Sequence, residues 1–125
     1  MLAHAMAHVV ARHWTRSATK TQLMPGDDSG PAAFSKAAPM GMLALQRAME
    51  GEADYLAVKA MAAAGYDPAG LASYVGRVQA ASGSMGDALP PRDRRVAAIR
   101  SEVRKLPAGA YGAGDEFARV RAELQ

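Results

Sequence analysis

His4 and His8 stand four residues apart in the opening segment LAHAMAHVV. On an α-helix that spacing leaves them about 40° from eclipsed, so both imidazoles leave the same face. Two ring nitrogens converging on one point suit a tetrahedral zinc. Taken alone, such a pair is more often explained by chance or by a core position than by a metal. A second pair strengthens the metal reading. Leu43, Arg47, Glu50, Asp54, Ala57 and Met61 follow the three-four alternation of one helix face, which sets two carboxylates a turn apart on a stripe with apolar ends. A carboxylate buried without a partner costs several kcal/mol or takes up a proton. A metal relieves that cost if Glu50 is a third ligand and Asp54 holds the outer N–H of a ligand histidine. A pairing of Arg47 with Glu50 on a half-exposed stripe relieves it equally, and these residues alone support both readings.

Several elements must position these groups. Leu2, Met6, Val9 and Val10 recur at helical spacing, predicting an amphipathic helix over residues 2–16 that opens without an N-cap side chain. Residues 24–39 are rich in proline and glycine and read as a flexible loop. A long helix follows over 41–64, stopped by Gly65 at C′. Asp67 can cap a third helix with Pro68 at N1, running to residue 81. After a loop to Leu89, Pro90-Pro91 opens a fourth helix reaching Lys105, and Asp115 can cap a short closing one. The expectation is one mainly α domain over residues 1–125 with no convincing strand.

Composition excludes several functional classes. The net charge is +3, and the one basic cluster, at residues 92, 94, 95, 100 and 104, spreads around its helix without aromatic residues between, so no nucleic-acid partner is expected. With no cysteine there is neither a disulfide nor a thiolate metal site. No apolar run reaches the roughly 18 residues of a membrane span, and the N-terminus lacks the charged leader of a signal peptide. The location expected is cytoplasmic unless an export signal lies upstream. Met6, Met42, Met49 and Met61 read as core filler and Trp14 as packing. His13 falls about 180° from His4 on a continuous helix, hence on the surface. Glu52 lies about 200° from Glu50 and faces away.

Residues 2–13, LAHAMAHVVARH, resemble the zinc helix of metallopeptidase family forty-eight, the HtpX, Oma and BepA group of gluzincins, which normally carries H-E-x-x-H. RAMEGEAD at 47–54 is similar to that family's E-x-x-A-D-type element, and Ala63 to Pro68 to the turn after it. Leu89-Pro90-Pro91 with Arg95 resembles the family's H-P-P-x-x-x-R segment except at its first residue. Asp115-Glu116-Phe117, leading to Val120, looks like the closing helix of the BepA-like branch. The resemblance implies one zinc held by His4, His8 and Glu50. It also implies Asp54 behind a ligand histidine and Arg95 anchoring a helix or supporting the site. The activity implied is zinc-dependent hydrolysis of a polypeptide substrate, in the cell envelope or periplasm.

Two departures bear on that activity. Ala5 stands where the family has the glutamate that moves a proton from the attacking water to the leaving amine, and Leu89 where it has a histidine that stabilises the oxyanion. Loss of a general base costs roughly 10²–10⁴-fold and of an oxyanion donor roughly 10²–10³-fold, so little peptidase activity is expected. The family's small sheet, whose edge strand holds substrate, would precede residue 1 and is expected to be missing. Two rival readings differ in metal content. One is a zinc-holding pseudo-enzyme that binds a polypeptide partner, the other a structural helical fragment without metal.

Overall fold

The computed structural model describes residues 1–22, 40–81, 89–108, 111, 122 and 123. Among these residues there are five α-helices and no strand: α1 Leu2–Val10, α2 His13–Gln22, α3 Met40–Ala63, α4 Ala69–Ala81 and α5 Arg92–Arg104. The loop expected at 24–39 and the closing helix expected from Asp115 lie outside the described residues. No described helix is long and apolar enough to cross a membrane.

Local sequence accounts for the joints. α3 is proline-free and ends in a Schellman turn: Gly65 takes φ +79°, the Tyr66 N–H donates to Met61 O at 2.9 Å, and the Gly65 N–H to Ala62 O at 3.1 Å. Two residues later Asp67 Oδ1 accepts the Ala69 N–H at 2.9 Å and so caps α4. Gln79, near the end of α4, donates from its amide to Pro90 O at 2.8 Å and ties α4 to the start of α5.

α3 is the central element, packed on both α1 and α5, while α4 lies on α5. Ala57 and Val58 of α3, Leu71, Ala72 and Val75 of α4, and Ile99 of α5 form the core, with Met61, Val96 and Val103 against it. The fully buried alanines at 53 and 57 offer little side-chain bulk, so neighbouring helices can approach the α3 backbone closely.

Two expectations about the N-terminal segment are corrected. The helix over 2–16 is two helices, because the chain turns at Ala11 and Arg12, with Arg12 in the left-handed region at φ 54°. The apolar residues of α1 are also not its buried face. Val9 is 78 % exposed, Leu2, Met6 and Val10 are exposed with it, and the buried residues of α1 are His4 and Ala7. Met6 is therefore not core filler, whereas Met42 and Met49 are buried, and Trp14 is 71 % exposed.

Candidate metal centre

α1 lays His4 and His8 against the middle of α3, where Glu50 and Asp54 emerge one turn apart. His4 Nε2 lies 3.1 Å from His8 Nε2. Glu50 reaches both rings, with Oε2 3.4 Å from His4 Nε2 and Oε1 3.4 Å from His8 Nε2. Tetrahedral zinc with bonds of about 2.0–2.1 Å separates its ligand atoms by about 3.3–3.4 Å. Glu50 meets each ring through a different oxygen, and with one ligand atom from each residue the three groups lie within 4.8 Å of one another, near enough to close on one such ion. Two imidazoles and a carboxylate, with room for a fourth ligand, are a donor set that suits zinc.

Behind His4, its buried Nδ1 lies 2.9 Å from Asp54 Oδ1, close in distance although the N–H does not point squarely at the oxygen. Arg95, from α5, clamps the same carboxylate through two bonds, Nε–H to Oδ2 at 2.7 Å and Nη2–H to Oδ1 at 2.8 Å. Its Nη2 also lies 3.4 Å from Glu50 Oε2, and Nη1–H donates to Gln79 Oε1 at 3.5 Å. A bidentate guanidinium–carboxylate pair is among the strongest charge-assisted contacts a buried site can contain.

Electrostatics follow from this crowding. Asp54, and after it Glu50, raises the pKa of His4 from 6.5 to about 9, more than burial lowers it. Burial takes His8 the other way, below its ordinary value. Burial pushes the Asp54 carboxyl up, but its bonds with Arg95 and His4 outweigh that and leave it below the usual carboxylate range. Glu50 behaves likewise, with His4 and then Arg95 overcoming its burial. Without a metal, a proton on His4 Nε2 sits between the His8 nitrogen and the Glu50 carboxylate.

Of the sequence-predicted residues, His4, His8, Glu50, Asp54 and Arg95 come together. Ala5 is exposed on α1, and Leu89 is half-buried just ahead of α5. Arg47 is exposed on α3, so the guanidinium on Asp54 is that of Arg95. His13 was expected on the surface but is only 4 % exposed. The turn at Arg12 swings it back, so that its Nδ1 meets His8 Nδ1 at 2.9 Å and its Nε2 lies 3.3 Å from Glu52 Oε2. Glu52 points away from Glu50 as expected, yet it joins the site from behind and is bound by Arg16 Nη1–H at 2.9 Å. Nothing in the residue types betrayed this, since a continuous helix puts His13 opposite His4. The one trace is a His8–His13 spacing of five, which no continuous helix face explains. Beside the centre opens a cavity of about 690 Å³ lined by His8 and Glu50 and walled by Val9, Trp14 and Met49.

Comparison with family models matches residues 28–103 to peptidase family M48. The chain belongs to that family. As an M48 chain it is a metallopeptidase-family domain. The matched span contains Glu50, Asp54, Leu89 and Arg95 but begins after α1, so the place of the histidines rests on geometry rather than on the match. No curated protein and no solved structure gives a match.

Proposed function

We propose that this M48 domain holds one zinc through His4, His8 and Glu50, with Asp54 and Arg95 orienting His4, and that its hydrolysis of peptide bonds is severely impaired. The observation that carries the metal reading is the convergence of two ring nitrogens and the Glu50 carboxylate from two helices, one ligand atom from each lying within 4.8 Å of the others. The matching motifs, which follow one another along the sequence in the order the resemblance requires, support placing it with the HtpX, Oma and BepA group. Zinc, when bound, supplies a Lewis acid that polarises a peptide carbonyl and makes water more acidic. The chain's own residues then orient the site, but Ala5 leaves it without a carboxylate to move protons and Leu89 without an imidazole for the oxyanion. Asp54 and Glu52 do not substitute, because each is already bound to an arginine and faces the back of a histidine.

The exposed apolar side of α1, together with Trp14 at the cavity wall, favours a second reading in which the domain binds a polypeptide without cutting it.

Metal analysis after dialysis against trace zinc tests the first reading. About one equivalent is expected in the wild type and none in Glu50→Ala. A wild type that stays empty removes the metal assignment. Brisk chelator-sensitive cleavage of a quenched peptide library by the wild type, lost in Glu50→Ala, removes the impairment.

A further inference from the structure

We propose that His13 is a positioning residue for the metal centre: its Nδ1 accepts the Nδ1–H of His8, its Nε2–H donates to Glu52, and His8 is thereby held with its Nε2 lone pair facing His4 and Glu50. The inference rests on the zinc reading for its purpose, but the hydrogen-bond direction can be tested without metal.

The direction follows from counting protons. Two Nδ1 atoms 2.9 Å apart share one proton, which belongs either to His8 or to His13. If His13 held it in a neutral ring, its Nε2 would turn a lone pair toward the Glu52 carboxylate 3.3 Å away, setting acceptor against acceptor. Arg16 Nη1–H donates to the same oxygen at 2.9 Å, so that oxygen already stands as an acceptor. Glu52 therefore requires the proton on His13 Nε2. In a neutral ring His13 Nδ1 then accepts, and His8 carries its proton on Nδ1. That is the tautomer in which His8 Nε2 is free to ligate.

Two structural features support a fixed role. His13 is almost fully buried at the first position of α2, and its ring meets the edge of His8 at 83° with centroids 4.8 Å apart. It arrives there only because Arg12 takes a left-handed conformation that non-glycine residues seldom adopt. Backbone in that region persists where surrounding contacts over-determine it, and the His8–His13–Glu52–Arg16 chain supplies such contacts.

Long-range ¹⁵N NMR of the full chain, zinc-free and zinc-loaded, reads the tautomers directly. The expected result is His8 protonated on Nδ1 and His13 on Nε2 alone, in both states. A proton on His13 Nδ1, in the other tautomer or in an imidazolium, overturns the proposal. Zinc affinity of variants gives the second readout. His13→Phe fills the space without accepting and is expected to weaken zinc binding about 10–100-fold. His13→Gln can accept the same N–H through its amide oxygen and is expected to recover most of that loss. A folded His13→Phe protein that binds zinc within twofold of wild type overturns the positioning role. Should His13→Phe not fold, the wild-type tautomers decide. A wild type that takes up no zinc defeats the metal assignment instead, and the zinc-free spectrum still settles which ring holds the proton.

Discussion

His4 and His8 are each backed by a chain that ends in a carboxylate–arginine pair, and the two pairs are built in opposite environments. Behind His4, Asp54 and Arg95 are both buried, and the guanidinium is supplied by α5, 41 residues further along the chain. Behind His8, an extra imidazole spans the gap to Glu52 and Arg16, whose side chains are both nearly half exposed. The buried arm ties three helices together and cannot lose a member without stranding a charge. The exposed arm involves α1, α2 and α3 but ends in water, where solvent can replace either partner. The same residue types are therefore structural on one side and orienting on the other.

Removing the carboxylate from each arm should separate them most widely. Asp54→Ala leaves the Arg95 guanidinium buried without its bidentate partner, a loss expected at about 3–5 kcal/mol, with Glu50 at 3.4 Å holding it toward the lower end. Glu52→Ala breaks an ion pair that water can replace and should cost about 1 kcal/mol or less. Urea denaturation of both zinc-free variants against wild type measures the difference. Equal losses would mean that the two arms are not distinguished by burial at all.

The pH dependence of the zinc-free protein sharpens the contrast. The pKa of His4 rises on folding from 6.5 to about 9, so its contribution to stability is fully present below 6.5 and is lost as the pH climbs through about 9. Asp54 and Glu50 are lowered on folding, so theirs is present above the ordinary carboxylate range and lost as the pH falls through their depressed values. Thermal melts in chelator should show stability falling on both flanks. His4→Gln should flatten the alkaline flank between 6.5 and about 9. An alkaline decline that survives His4→Gln unchanged would assign that flank to another group.

What was legible in the sequence divides along the same line. The parts that depend on one helix and its caps could be read directly: α3 with Glu50 and Asp54 on one stripe, its stop at Gly65, the Asp67 cap, and the same-face pair His4 and His8. The buried face of α1 was misread because periodicity marks where apolar residues recur, not which side meets the protein. Here the convergence of His4 with Glu50 and Asp54 sets the orientation, and Val9 and Val10 face outward. Arg95, the guanidinium that reaches Asp54, comes from a distant helix, so the resemblance pointed to it and the α3 stripe could not. His13 was lost through a single backbone angle at Arg12, where no glycine or proline signals a turn.

That angle offers the smallest and cleanest comparison, between the two left-handed residues of the described chain, Arg12 at φ 54° and Gly65 at φ +79°. A side chain in this region costs roughly 1–2 kcal/mol through the crowding of Cβ against the carbonyl, whereas glycine adopts it freely but has more unfolded freedom to lose, about 0.4–1 kcal/mol. The difference predicts that Arg12→Gly stabilises the protein by about 0.5–1 kcal/mol. Arg12→Ala keeps the Cβ and the crowding, so it should remain near wild type and separates the backbone effect from any role of the exposed guanidinium. Gly65→Ala should act with the opposite sign, losing about 1 kcal/mol, and because a Cβ there would have nothing within 4 Å the loss is conformational alone. Urea midpoints of the three variants, in chelator, test the set. If Arg12→Gly were destabilising while Arg12→Ala stayed neutral, restricted freedom at residue 12 would be holding the turn that delivers His13, and the left-handed residue would stabilise the exposed arm despite its strain.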